Sequence, residues 1–388
     1  MLSEPLAFAY AGWTTGTFLI IFYGFLTCYT AKILARIITA DPKLRTYADI
    51  GYKAFGRRST VLTGILFCLE LFAVSVVLIT LYADSLHLVI PALSSNQYKI
   101  LGLLVLIPTV TMPLSVLSYA SILGILSTTM IITCIAIDGL TKLEAPGSLW
   151  QPADTDWFVK DAGKVGISFG LFMAGFSGHA VIPSLARDMQ DPTQFDNMIN
   201  WAFGIATIVY GLIGAAGYLM FGRNVSEEVS KDILATPGYN IILNELSVWM
   251  LVVAPLSKFA LSIRPLNLTL EIWLGIDNPA PASSASRPAS PTSKSAAVLA
   301  TSPRTTPHPS LLVAERITLT LLSTGVSILV PQFSTVMAFL GSFSAFVLCV
   351  IGPICAKVAI EGRCSWYDGI LLAVSIMFAI WGTIAAFQ

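Results

Sequence analysis

The sequence predicts an all-α polytopic membrane protein: ten full spans preceded by an N-terminal half-helix remnant. Three observations lead there. Charged residues make up only 11% of the chain and hydrophobic ones 55%, where a soluble domain carries about 25% charged residues. The mean hydropathy is +0.77. Apolar stretches of about 20 residues, the length that crosses a bilayer core, recur at 12–31, 59–83, 99–119, 121–139, 164–185, 199–221, 239–262, 314–331, 333–357 and 367–387. They lack the period-two alternation of a closed barrel, so helices are the form that satisfies each backbone group in lipid.

Charge orients these spans. With the 32–58 connection placed inside, sixteen of the 22 Lys and Arg residues fall inside or at inner span ends. Lys99, Lys142, Lys160, Lys164, Arg223 and Lys231 remain outside, which is a positive-inside bias. The sequon Asn224-Val225-Ser226 then lies on the outer or lumenal side. In this orientation the span 12–31 runs from outside to inside. Met1 to Ala11, mostly apolar with Pro5 in their middle, read as the second half of a helix whose first half is absent.

The chain divides at 277–310, between the membrane segments 1–276 and 311–388. That stretch of Pro, Ser, Ala and Thr holds too little apolar surface to offset ordering entropy, and reads as a disordered cytosolic loop. Ser290, Ser302 and Thr306, each before Pro, are candidate phosphorylation sites, with an unmodified spacer as the plain alternative. Aromatics and glycines in 41–58 predict a short interfacial helix. The six cysteines lie in or beside apolar runs without C-x-x-C spacing and read as packing residues. Equal numbers of basic and acidic residues, 22 each, give no basis for nucleic-acid binding, and no cofactor or metal motif is present.

An interrupted helix is the best sequence pointer to a transport site, because unwound backbone in a membrane must line a cavity or be buried in protein. The 164–185 span carries one at Gly175, Phe176, Ser177 and Gly178, followed by His179 and Pro183. A kinked helix with packing glycines is the competing reading. Gly211, Gly214 and Gly217 read as packing glycines. The run Ser3-Glu4-Pro5-Leu6-Ala7 is a possible counterpart of Pro183-Ser184-Leu185-Ala186, hinting at an internal repeat. Ionisable groups within spans are candidates for carrying protons. Glu70 sits near the middle of 59–83 and Glu4 in the N-terminal remnant; each has a structural alternative as a hydrogen-bonded carboxyl. Lys258 lies close enough to the inner end of its span to snorkel, and His179 reads equally well as a packing histidine.

Four stretches together resemble the amino acid/auxin permease family, in particular its fungal vacuolar amino-acid transporters. They are Leu6-Ala7-Phe8-Ala9-Tyr10-Ala11-Gly12-Trp13; Tyr47-Ala48-Asp49-Ile50-Gly51-Tyr52-Lys53-Ala54-Phe55-Gly56; Pro113-Leu114-Ser115-Val116-Leu117-Ser118 with Leu123-Gly124-Ile125-Leu126-Ser127; and Gly178-His179-Ala180-Val181-Ile182-Pro183 with Arg187-Asp188-Met189. The resemblance covers nearly the whole chain except 277–310. It implies a five-plus-five inverted repeat of the leucine-transporter type with one extra helix, and broken first and sixth helices whose backbone holds the substrate. It also implies neutral amino-acid substrates, protons as the coupling ion and a vacuolar, lysosome-like membrane. By the same resemblance Gly175 to Gly178 form the second break, Glu70 matches an acid of the third family helix, and Lys258 a Lys late in the eighth. The break of the family's first helix falls just before Met1. The alternatives are an amino-acid-sensing receptor that keeps the fold, and an inactive truncated fragment; an enzyme is disfavoured, because no nucleophile–base or metal pair stands out within the spans.

Overall fold

Apolar side chains on every side, rather than on one stripe, are what these helices bring to the bundle. Phe25, Ile208, Leu212 and Leu329 stand outward at 62–81% exposure, a surface suited to lipid. The computed structural model describes residues 1–41, 44, 47–112, 120–274 and 309–388. The 277–310 reading and the Pro113–Ser118 motif therefore lie outside the described residues, except that Pro309 and Ser310 open a helix.

Helix α1 covers Glu4–Ala40 but is two helices joined at Gly12, whose φ of 72° and ψ of 169° are not helical. A left-handed φ is open to glycine at little cost. The second helix begins there, and its first amides would lack partners. The 153–160 loop supplies them: Trp13 donates to the Asp156 carbonyl at 3.0 Å and Thr14 to that of Trp157 at 3.1 Å. The remnant is thus a short helix from Glu4, and the expected 12–31 span runs on to Ala40.

The interfacial helix expected in 41–58 is α2, Tyr47–Phe55. There follow α3 (Arg57–Val89), α4 (Ser95–Leu101), α5 (Leu103–Val110) and α6 (Ala120–Thr141). The broken span supplies α7 (Ala162–Gly175) and α8 (Ile182–Asp188). Next come α9 (Phe195–Phe221), α10 (Val229–Ala235), α11 (Ile241–Trp273) and α12 (Pro309–Leu329). The chain ends with α13 (Phe333–Phe339), a π-helical stretch at Leu340–Ile351, α14 (Gly352–Glu361) and α15 (Trp366–Ala385).

Among the described residues, eight helices are long and apolar enough to cross a bilayer. The difference from ten lies in two expected spans that are not single helices. The 164–185 span breaks between α7 and α8. The 99–119 span is divided at Gly102, between α4 and α5. There the Tyr82 hydroxyl donates to the Tyr98 carbonyl and occupies the space a side chain at 102 would need.

Small residues set the closest helix contacts. A Cβ on Gly341 would overlap the Gly170 carbonyl, and one on Gly170 would overlap the carbonyl of Ala338, so α7 meets the π stretch backbone to backbone. Gly214 takes the Phe8 ring and Gly217 takes Pro5, as expected of packing glycines; Gly211 faces open space. Phe8 meets Phe172 edge-on at 5.2 Å, which seats the α1 start on α7.

Candidate functional site

The break opens where the sequence placed it. After Gly175 the helical pattern stops, and Gly178 takes φ 118°, ψ 10° before the turn His179–Val181 leads into α8. Pro183 falls in the first turn of α8, where its missing N–H costs nothing. Pro5 does the same in the first turn of α1, so the two segments compared as a repeat open their helices alike.

The four residues of the break do different things. A Cβ on Gly175 would come 2.9 Å from Glu4 Oε1 and 3.3 Å from the Tyr210 ring, so Gly175 leaves room for both. Phe176 is buried and meets Tyr210 edge-on at 5.5 Å. The Ser177 hydroxyl donates to the Ala174 carbonyl at 2.9 Å. Gly178 has nothing within 4 Å of where a side chain would start, so unwound backbone borders free space.

Glu4 is 1% exposed. Its Oε1 lies 3.4 Å from the Met1 amino group, while its Oε2 has no hydrogen-bond partner. Among the candidate carboxyls it is the one brought directly to the break. Glu70, 6% exposed on α3, lies close enough to act electrostatically on Tyr47 and Cys349. The Cys349 thiol in turn faces the backbone amides of Gly178 and His179. Glu70 is not brought into contact with the break, and it has no hydrogen bond among the described residues.

His179 is buried, with Nε2 2.9 Å from the Thr27 carbonyl and 3.1 Å from Thr30 Oγ1. A carbonyl can only accept, so this nitrogen carries the proton and ties the turn to α1. Lys258 lies elsewhere. The continuous helix runs on to Trp273, with Lys258 near its middle. It borders a cavity of about 230 Å³ with Met1, Ser3, Ser127, Thr128 and Met337, packs over Gly124, and has no ion-pair partner among the described residues. That volume is below the roughly 300–1,000 Å³ of clefts for drug-sized ligands. Residues 175–178 do not line it. A groove of about 900 Å³ beside Trp13, Phe18 and Phe25 opens on the lipid-facing surface, away from these groups.

The family model described as transmembrane amino acid transporter protein matches residues 1–388. The chain belongs to this family. It is a family of transporters, not of enzymes. The chain is 29% identical to the amino acid transporter AVT1D of Arabidopsis thaliana over 94% of its length and 62% of the relative. It is 28% identical to AVT1E of the same plant over 99% of the chain and 68% of the relative. A vesicular inhibitory amino acid transporter of Xenopus tropicalis is 26% identical over 61% of the chain and 47% of its own length. The chain thus spans from about half to two thirds of the length of these relatives. In fold it matches a solved Na+-coupled sialic acid symporter with a TM-score of 0.54 and 16% identity, over 99% of this chain and 85% of that one. The bundle is the leucine-transporter type that the resemblance implied.

Several groups escaped the sequence reading. Tyr210 and Cys349 reach the break from segments far away in the chain. Asp138, fully buried on α6, has no hydrogen-bond partner on either oxygen; it stands near the outer end of an expected span, where its position signals little. Glu228, fully buried in the 222–238 connection, was not singled out by the sequence.

Proposed function

We propose that this transporter moves neutral amino acids across a vacuolar-type membrane in exchange or cotransport with protons, the substrate being held at Gly175, Phe176, Ser177 and Gly178. The observation that carries this reading is the break itself. Unwound backbone borders open space at Gly178, and the Glu4 carboxyl stands beside Gly175. Backbone amides at a helix start suit a carboxylate, and free carbonyls at a helix end suit an ammonium group, so a zwitterion fits between two half-helices. No charged side chain belongs to the four break residues, in keeping with a neutral substrate. The vesicular relative and the resemblance to fungal vacuolar transporters support an acidic organelle. Glu70 and Glu4 lead as proton carriers, with Lys258 and His179 behind them. Loop 277–310 faces the cytosol in this reading.

The test is uptake by the full chain reconstituted in liposomes, with and without an imposed pH gradient. Labelled leucine and glutamine are compared with labelled lysine and aspartate. Neutral substrates should accumulate only with the gradient. Accumulation that ignores the gradient, or that favours the charged substrates, would overturn the proposal.

A further inference from the structure

Residues 225–235, called the cover below, strap together elements that line the 230 Å³ cavity without lining it themselves. Their polar groups bind three of these elements: the N-terminal residues, α3 and α13. Val229 donates its amide to the Leu2 carbonyl at 3.1 Å, and Ser3 Oγ donates to the Glu227 carbonyl at 2.7 Å. The Ser334 amide at the start of α13 donates to Glu227 Oε2 at 3.2 Å. Lys231 donates to Asp84 of α3 at 3.1 Å, and Ser95 of α4 donates to the other oxygen of Asp84 at 2.5 Å. The segment is internally braced, with the Ser226 hydroxyl and amide donating to Asp232 at 2.6 and 2.9 Å. Leu2 and Ser3 line the cavity, as do Val77, Leu78 and Leu81 of α3 and Phe333 and Met337 of α13.

Glu228 sits inside this cover with no exposed surface. Lys231 Nζ pairs with its Oε1 at 3.1 Å, and no second donor reaches either carboxylate oxygen. A fully buried carboxylate with one counter-charge and no further donor is costly when charged, and a proton lowers that cost. The charged groups around it are Lys231 on its own helix, the adjacent Glu227, and Asp84 of α3, with Lys99 of α4 behind Asp84 and Lys231. The cover's other neighbours are the N-terminal residues, where the Met1 amino group pairs with Glu4 beside Leu2 and Ser3, α13 with the uncharged Ser334, and α6, which carries the buried Asp138.

We infer that Glu228 is a proton-binding site of this cover, and that the cover takes up a proton when it closes. The transport reading gives the site its purpose, because the covered face would be the lumenal one. Burial pushes the Glu228 carboxyl from the ordinary 4.5 up to about 7, with Lys231 pulling the other way and Asp84 adding to the rise. Opening the cover hydrates the group and returns it towards 4.5. The closed form therefore binds the proton more tightly, so acid favours closure, and the gain fades as pH rises through about 7. By linkage, moving from about pH 7.5 to about 5.5 shifts the closed-to-open ratio roughly twentyfold towards closed. An acid lumen holds the cover down; a neutral one loosens it.

Ser230 is fully buried in the cover and its hydroxyl has no hydrogen-bond partner, which makes Ser230→Cys a mild reporter. The full chain carrying it is placed in nanodiscs and labelled with a water-soluble maleimide between about pH 5.5 and 8.5, a range that brackets the raised carboxyl. Modification is read by mass spectrometry on the peptide containing residue 230. Rates are divided by those of the same protein with Glu228→Gln, which cancels the thiol's own pH dependence. The expected ratio rises roughly twentyfold from about pH 5.5 to about 7.5. Lys231→Gln, which removes the counter-charge, should carry the rise to higher pH. It serves as the second variant should Glu228→Gln fail to assemble. A ratio that is flat or falls with pH, or a Lys231→Gln profile identical to the unsubstituted one, overturns the inference. Labelling needs no substrate, so this failure is distinct from failure of the transport reading.

Discussion

Gly178 is the residue on which the broken helix turns, and replacing it separates backbone shape from space. Its φ of 118° is foreign to L-residues, while no atom lies within 4 Å of the point where a side chain would begin. Gly178→Ala therefore adds strain without a clash. Holding a non-glycine residue in such a conformation costs about 1–3 kcal/mol. At about 1.4 kcal/mol per factor of ten, that lowers the population of the open break roughly 5- to 150-fold. Gly178→Leu adds the same strain and also fills the free space. We expect Gly178→Ala to lower initial uptake by about tenfold and Gly178→Leu to abolish it, each measured in liposomes against equal amounts of monodisperse protein. A Gly178→Ala transporter that keeps its uptake rate within about a factor of two of the unsubstituted protein would refute the need for this backbone conformation.

Glu70→Gln keeps shape but cannot titrate, so it should lose pH-driven accumulation while retaining exchange at equilibrium. One pH unit supports about tenfold accumulation per proton, and normal accumulation by the variant would make Glu70 structural. His179→Ala leaves the Thr27 carbonyl without its buried donor and should destabilise the protein by about 1–3 kcal/mol, lowering the melting temperature in detergent. Unchanged melting with lost coupling would instead make His179 a proton carrier. Asn224 is exposed in a short turn after α9. Asn224→Gln should abolish a glycan shift in a glycosylating host, and protease added outside intact vacuoles should cut 277–310; cleavage of 222–238 instead would reverse the orientation.

What the sequence revealed was governed by lipid. Long apolar runs have one good backbone solution in a bilayer, so the spans and the helix breaker at Gly175–Gly178 were visible without coordinates. Span ends were not. α11 continues eleven residues past the expected 262, to Trp273, because a helix persists after its hydropathy declines, even with Pro255 and Pro265 inside it. The polar contacts across the bundle were hidden for another reason. Lys99 Nζ donates to the Ser327 carbonyl 228 positions away, and Tyr47 donates to the Leu348 carbonyl 301 positions away. No local pattern encodes such partners. The candidates Glu4 and Glu70 could be found because a charge in an apolar run stands out; Glu228 could not, since a carboxylate in a polar loop stands out only after burial.

The contact between Gly170 and Gly341 bears on how this bundle tolerates change. Two side chains that collide can exchange volume, one shrinking as the other grows. Here a methyl group on either glycine meets main-chain atoms, which no substitution can trim. A compensating change would have to move a whole helix, and α7 is already tied to α15 through Gly166 beside Ala385 and Trp381. Random variation should therefore leave both positions empty-handed: neither is reachable by a single step, and a double replacement offers no detour. A library of substitutions scored for surface expression would find this pair depleted together, while Gly211, which faces open space, accepts most residues.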